Sequence, residues 1–216
     1  MTWTESVWEK SLPIYNAILE QAFIKELAAG TLAGDKFSRY IAQDEIYIGN
    51  YGRQMFQLAD MLTDTAEREM FTAFAQSGID SEKAMHMLLI EREGIDCKVE
   101  ASAVTLAYNA HTQAAVDTGV KEIALAAMLP CMWIYNRVGL DILRQAKLEG
   151  NPYKEWILEY GNEEFTAGVN LVLEMVDRWA AATTDEIRAK MDAAYIEAAR
   201  FEYDFWEYGY TGGVVE

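Results

Sequence analysis

The sequence predicts an all-α, single-domain helical bundle that covers residues 1–216. Apolar residues recur along most of the chain at the three- and four-residue spacing of one helix face. Alternating strand patterns are nearly absent, and only 3 prolines interrupt the chain. Long helices joined by short connections are typical of an α-helical bundle.

Seven helices follow from this periodicity and from residues that favour helix ends. They cover roughly residues 4–28, 35–62, 65–93, 101–117, 121–148, 152–181 and 184–209. The first contains Pro13, where a bend is expected, and Gly30 follows its end. The second carries a tyrosine-rich apolar face. The third, fourth and fifth are closed by Gly94, Gly119 and Gly150, since glycine readily ends a helix.

The last two predicted helices have recognisable starts. Asn151 and Pro152 provide an N-cap and a first-turn proline for the sixth helix. Thr183 and Glu186 have the spacing of a capping box and open the seventh. The tail from Thr211 is expected to be loose.

Acidic residues dominate the charge, with 35 Asp and Glu against 18 Lys and Arg and a net charge of -17. Such a surface repels phosphate backbones and anionic membranes, so neither nucleic acid nor a membrane is an expected partner. We expect no membrane span and no signal peptide. The two cysteines, Cys97 and Cys131, do not make a disulfide framework, so a reducing cytoplasm is the simpler setting.

Three reactive side chains lie at the centres of apolar helix faces: Asp44 in the second predicted helix, Cys131 in the fifth and Glu202 in the seventh. A buried carboxylate without a partner is costly, so Asp44 and Glu202 each need a partner or a ligand. Pro130 has no amide hydrogen to donate to the Ala126 carbonyl, so a kink is expected beside the thiol.

Each of the three has a structural alternative, because a cysteine on an apolar face is usually inert and a lone carboxylate usually has a basic partner. Together they favour a functional site. Burial and carboxylate neighbours keep a thiol neutral rather than ionised. A neutral thiol beside a carboxyl group suits an electrophile that is activated by protonation of a ring nitrogen, such as an aminopyrimidine.

The two histidines, His86 and His111, limit other chemistries. Neither follows a glutamate by three residues, as in di-iron bundles, and no histidine precedes His86 to bind haem near the N-terminus. No glycine-rich phosphate loop is present. We therefore expect no cofactor and no metal, although Glu82 and His86, four residues apart, allow a surface pair or a weak metal site. A Cys–His–Asn hydrolase stays open on residue types alone.

Several segments, in order along nearly the whole chain, resemble the TenA (thiaminase II) family. They are Leu27–Leu32, Gln43-Asp44-x-x-Tyr47, Leu129-Pro130-Cys131-x-Trp133-x-Tyr135, Trp156-Ile157-x-x-Tyr160 and Phe201-Glu202-x-x-Phe205-Trp206. The resemblance implies a haem-oxygenase-like fold used without haem, and a homotetramer. It implies hydrolysis of 4-amino-5-aminomethyl-2-methylpyrimidine, and of thiamin, to the hydroxymethyl pyrimidine in thiamin salvage.

The resemblance also implies roles for individual residues. Cys131 would be the nucleophile, Glu202 the acid and base, and Asp44 the group that binds the aminopyrimidine edge. The remaining positions would orient the substrate or carboxyl groups (Tyr108, Tyr135 and Tyr160) or stack on the ring (Tyr47 and Phe205).

Cys131 places the chain in the cysteine-containing branch of that family, whereas Glu45 stands where many relatives have an aromatic residue and is expected to face outward. Two alternatives remain open: a non-catalytic pyrimidine- or thiamin-binding protein with a regulatory role, and a metal oxygenase on the same fold.

Overall fold

The computed structural model describes residues 1–213, which form nine helices and contain no strand. In chain order the helices are α1 (Trp3–Glu20), α2 (Ala22–Ala29), α3 (Gly34–Met61), α4 (Thr65–Glu93), α5 (Ala103–Asp117), α6 (Lys121–Gln145), α7 (Lys154–Tyr160), α8 (Glu163–Ala182) and α9 (Asp185–Thr211). The predicted all-α architecture is confirmed. The predicted loose tail begins within α9, and residues 214–216 lie outside the described part of the chain.

The first predicted helix is in fact two helices, α1 and α2. The chain continues as helix through Pro13, and the break comes at Gln21, whose backbone is extended (φ -62°, ψ 143°). The Gln21 side-chain amide donates to the carbonyl of Tyr203 on α9 over 2.9 Å. Local helix propensity does not predict this break, because a contact with a helix distant in sequence holds it.

The sixth predicted helix is also two, α7 and α8, separated by Gly161 and Asn162. The Asn162 side chain accepts from the Phe165 amide over 2.6 Å and caps α8. Asn151 is not the N-cap that the sequence suggested. Its side chain accepts from the Tyr153 amide over 2.8 Å and donates to carbonyls at the end of α2, so it fastens the α6–α7 connection instead.

Other helix ends agree in position but differ in detail. The N-cap of α9 is Thr184, which accepts from the Ile187 amide over 3.2 Å, so the predicted box from Thr183 does not form. Gly94 ends α4 in the left-handed conformation, as predicted. In contrast, α6 ends at Gln145, well before Gly150.

The central helix is α6, which packs most extensively against α9 and also contacts α3, α5, α7 and α8. The sequence predicted no membrane span. By length and composition alone, however, α6 could be one, because its most apolar window has a mean hydropathy of 1.3. That window is 83% buried among the other helices, as in the core helix of a globular fold.

A close approach between helices positions one wall of the site. A side chain at Gly139 of α6 would place its Cβ 2.6 Å from the carbonyl carbon of Tyr160, so only glycine lets the end of α7 lie against α6 here. This contact brings the Tyr160 ring to 4.9 Å from the ring of Tyr135.

Candidate active site

Four of the eight predicted site residues line one pocket: Asp44 from α3, Cys131 and Tyr135 from α6, and Tyr160 from α7. The pocket encloses about 610 Å³, counting its opening to solvent. Asp44 and the two tyrosines are buried, whereas Cys131 is only partly buried. The helix faces chosen from the sequence therefore converge, and the thiol is accessible from the pocket.

Asp44 lies beside a histidine for which the sequence allowed either a surface pair or a weak metal site with Glu82. His86 of α4 is completely buried, and its Nε2 lies 3.3 Å from Oδ2 of Asp44. The angles at this contact are not those of a hydrogen bond, so this buried oxygen of Asp44 has no hydrogen-bond partner among the described residues. An unsatisfied buried carboxylate oxygen in a pocket wall is suited to accept a hydrogen bond from a ligand.

The second nitrogen of His86, Nδ1, lies 2.8 Å from Oε2 of Glu45. The Glu45 side chain is 41% exposed, so the expectation that it faces outward holds for only part of the group. Burial alone would lower the pKa of His86, but the carboxyl groups of Asp44, Glu82 and Glu45 outweigh it and raise that pKa to about 9. His86 is therefore an imidazolium held between two carboxylates.

Glu82 is a pocket residue that the sequence analysis did not include in the site. Its carboxylate accepts a short hydrogen bond from the hydroxyl of Tyr160. Burial and the charge of Asp44 raise the pKa of Glu82 to about 8. A signal was available, because Glu82 and His86 share a helix face with the apolar residues Ile79 and Leu89.

Glu202 is buried behind this pocket, with 1% of its surface exposed. Its Oε1 accepts from the hydroxyl of Tyr108 over 2.5 Å. Burial raises the pKa of Glu202 to about 8, although the bond from Tyr108 opposes the rise. Near neutral pH this carboxyl group is largely protonated and can give up a proton.

The other four predicted residues do not line the open pocket but pack next to it. Tyr47 lies 4.7 Å from Tyr108 and 5.8 Å from Phe205, measured between ring centroids. The hydroxyl of Tyr47 has no hydrogen-bond partner among the described residues. The eight residues therefore form two adjoining groups, one that lines the open pocket and one packed beside it, and Glu202 of the second group is the largest charged influence on the Cys131 thiol.

The thiol of Cys131 is held in its neutral form. Burial raises its pKa well above the ordinary value, and the carboxyl groups of Glu202, Glu82 and Asp44 raise it further. The helix continues through Pro130, and Tyr51 donates to the carbonyl of Met128 over 2.9 Å in the same turn. Both cysteines of the chain are free thiols.

One cluster near the pocket has the composition of a cation site. Single ligand atoms of Asp44, Glu82 and His86 all lie within 4.8 Å of one another. A divalent metal needs a neutral imidazole nitrogen, whereas the raised pKa of His86 makes it a proton donor at neutral pH. Binding a metal here would therefore require His86 to lose its proton, as metal binding to a histidine generally does.

Comparisons with known proteins show which family this chain belongs to. The model of the TENA/THI-4/PQQC family matches residues 8–212. An aminopyrimidine aminohydrolase from Halalkalibacterium halodurans is 27% identical over 98% of this chain and 96% of its own length. An aminopyrimidine aminohydrolase from Bacillus subtilis is 30% identical over 87% of this chain and 81% of its own length.

The fold is shared with solved structures at lower identity. A TenA homologue from Pyrococcus furiosus superposes with a TM-score of 0.91 at 19% identity, covering 96% of this chain and all of that one. Because the family model matches nearly the whole chain, from the first helix to the last, this chain belongs to the TENA/THI-4/PQQC family.

Proposed function

We propose that this chain is an aminopyrimidine aminohydrolase of the thiaminase II type. It hydrolyses the bond between the pyrimidine methylene and the departing nitrogen in 4-amino-5-aminomethyl-2-methylpyrimidine and in thiamin. The product is 4-amino-5-hydroxymethyl-2-methylpyrimidine, which returns to thiamin synthesis. The observation that carries the proposal is a partly accessible neutral thiol surrounded by Asp44, Glu82 and Glu202.

The aminopyrimidine binds through its hydrogen-bonding edge. The free oxygen of Asp44 accepts from the exocyclic amino group, and the imidazolium of His86 lies 3.3 Å from the same oxygen. Tyr135 and Tyr160 provide the aromatic walls of the pocket. In this pose the ring lies next to Cys131, with Tyr47 between the ring and Phe205.

Covalent addition divides the displacement into two easier steps. Glu202, protonated below about pH 8, gives its proton to a ring nitrogen, which makes the ring electrophilic. The sulfur of Cys131 then bonds to a neighbouring ring carbon. The carbon–nitrogen bond at the methylene breaks, and its electron pair leaves with the departing nitrogen. The amine takes the proton that the thiol gives up, whereas the thiazolium of thiamin leaves as neutral thiazole and the thiol proton passes to solvent.

Water completes the reaction. It adds to the exocyclic methylene of the adduct, and one of its protons returns to the sulfur as the carbon–sulfur bond breaks. The ring nitrogen returns its proton to Glu202. Overall, the aminomethyl compound and water give the hydroxymethyl compound and ammonia, and the enzyme is regenerated.

We further propose that the chain is one domain over residues 1–216, acts in the cytoplasm and assembles as a homotetramer, without a metal or an organic cofactor. The continuous hydrophobic core supports a single domain. Exposed apolar side chains on α4 and α5 supply surface for assembly, since Met87 is 72% exposed and Leu106 is 59% exposed. Light scattering of the purified protein measures the oligomer directly.

The test is to incubate the purified protein separately with thiamin and with the aminomethyl pyrimidine, and to follow the hydroxymethyl product by chromatography. Cys131→Ala is the inactivating variant, and Cys97→Ala is the matched control, because Cys97 is the other free thiol and lies outside the pocket. We expect product from the parent and from Cys97→Ala, and none from Cys131→Ala.

Two outcomes would overturn the proposal. If Cys131→Ala turns over as fast as the parent, the thiol is not the nucleophile. If neither substrate yields product while calorimetry shows that the pyrimidine binds, the chain is a binding protein. Metal analysis of the same preparation tests the third possibility, since stoichiometric iron would indicate an oxygenase.

A further inference from the structure

A second, outer pocket adjoins the one that holds Cys131. It encloses about 860 Å³, counting open solvent, and lies between α4 and the α7–α8 segment. The two pockets share four lining residues: Phe74, Gly78, Glu159 and Phe165. These four form the boundary between the pockets.

Burial decreases from the inner pocket to the outer one. The inner wall at Asp44 and Tyr135 is buried, the four boundary residues are half-buried, and the outer wall includes exposed residues such as Ser81 and Glu164. A molecule that enters the inner pocket, or a fragment that leaves it, therefore passes the boundary.

The boundary presents two aromatic faces in a fixed arrangement. The rings of Phe74 and Phe165 are nearly parallel, at 10°, with their centroids 6.4 Å apart. The Phe74 ring lies against Gly168 of α8, where any Cβ would come within 2.6 Å of the ring. Phe165 packs edge-on against Tyr160 of the inner pocket, at 6.1 Å. Such faces attract a cation by their electron-rich surfaces.

The charged groups of the outer pocket are carboxylates. Glu159 lies at the boundary, where its Oε1 accepts from the hydroxyl of Ser81 over 2.5 Å, and Glu164 lies farther out. The bond from Ser81 fixes the position of the Glu159 carboxylate. The net charge of -17 adds a field that draws cations toward the protein.

We propose that the outer pocket is a subsite for the leaving group and that it selects a planar, positively charged heteroaromatic ring. This inference rests on the proposed hydrolysis. When the pyrimidine lies beside Cys131, a bulky substituent on its methylene reaches the boundary. There the rings of Phe74 and Phe165 contact the faces of the substituent, and the carboxylate of Glu159 attracts its positive charge. Ammonia, the other leaving group, is too small to use these contacts. The thiazolium ring of thiamin has the required shape and charge.

The test measures one ratio for each variant, which is the kcat/KM for thiamin divided by the kcat/KM for the aminomethyl pyrimidine. Glu159→Gln and Phe165→Leu should each lower this ratio about two- to fivefold, and the double variant about tenfold, the usual range for one exposed charge or one cation–π contact. The matched control is Glu163→Gln, which removes one charge from the first turn of α8 and lines neither pocket. It should leave the ratio unchanged.

A third variant tests the route by size instead of charge. A Cβ at Gly78 meets no atom within 4 Å, so Gly78→Leu starts in open space and adds its side chain to the boundary. We expect it to lower the ratio at least tenfold because it obstructs the thiazolium ring but not ammonia. Thermal unfolding of each variant confirms that it is folded.

The outcomes separate this inference from the proposed function. If both substrates are hydrolysed and the ratio is the same in parent, Glu159→Gln, Phe165→Leu and Gly78→Leu, the subsite is wrong while the hydrolase stands. If a neutral heteroaromatic leaving group of the same size reacts as fast as thiazolium, the charge selectivity is wrong. Absence of turnover with either substrate would refute the hydrolase itself.

Discussion

Replacing Glu202 by glutamine should stabilise the protein, and the gain should grow with pH. The carboxyl group is buried, and its pKa is raised from 4.5 to about 8. Above pH 4.5 this carboxyl group is ionised in the unfolded chain, so folding requires it to take up a proton. Above about pH 8 folding buries the ionised carboxylate instead. The stability that the parent has at low pH is therefore lost progressively as pH rises from 4.5 to about 8.

The size of this effect follows from the pKa difference. At about 1.4 kcal/mol for each tenfold change in proton affinity, the stability lost by the parent is about 5 kcal/mol above pH 8 and below about 1 kcal/mol near pH 5. The glutamine variant avoids that loss, because its amide has no charge and still accepts from Tyr108. The same variant should lose turnover, since the proposed proton donor is gone.

Urea unfolding of parent and variant at about pH 5 and at about pH 9 measures the difference in the free energy of unfolding at each pH. Glu197→Gln is the control on the same helix, because Glu197 pairs with Arg200 and its side chain is 46% exposed. Its effect should stay below about 1 kcal/mol at both pH values. A Glu202→Gln difference that is equal at both pH values would refute the account of a buried carboxyl group with a raised pKa.

Three further substitutions test other contacts. Tyr108→Phe removes the donor to Glu202, so the pKa of that carboxyl rises further and the alkaline fall of kcat/KM moves up by about one pH unit. His86→Gln leaves a buried carboxylate without its cation, so we expect about 3 kcal/mol less stability and about tenfold weaker pyrimidine binding by calorimetry. Gly139→Ala forces a methyl group against the backbone of Tyr160, which should cost about 1–3 kcal/mol in thermal unfolding.

Each of these has a contradicting result, and Tyr108→Phe and Gly139→Ala also have a matched control. Tyr153→Phe removes a buried hydroxyl that donates to Leu32, far from the carboxyl groups, and should not move the pH profile. An unchanged profile for Tyr108→Phe would contradict its role. Gly49→Ala places its Cβ in open space on an exposed helix face, so it should not destabilise. Equal unfolding temperatures for the two alanine variants would disprove the close approach of α6 and α7. Undiminished pyrimidine binding by His86→Gln would disprove the role of the His86 imidazolium in binding.

Helical periodicity predicted which side chains point inward, and that was enough to bring Asp44, Cys131 and Glu202 into one interior region. Periodicity is a local property, so it does not indicate which faces meet. The network of Glu45, His86 and Glu82 depends on how α3 packs against α4, and the sequence pattern alone did not reveal it.

The helix breaks show the same limit. Gln21 stands among good helix formers, and a bond to α9 holds it in extended backbone. The Gly161–Asn162 break carried a visible signal, a glycine followed by a capping residue, but the long apolar run around it outweighed that signal. The outer pocket is lined by exposed and half-buried residues of α4, α7 and α8, so no apolar helix face in the sequence pointed to it.

The elevated pKa of the Cys131 thiol has a consequence for damage by oxidants. Peroxide and alkylating agents attack thiolates, and a cysteine that is ionised at rest is exposed to them continuously. Here the sulfur stays protonated although it is partly accessible, so it should react slowly with iodoacetamide or peroxide. The enzyme would thus retain its nucleophile through oxidative conditions that inactivate cysteine enzymes with a resting thiolate.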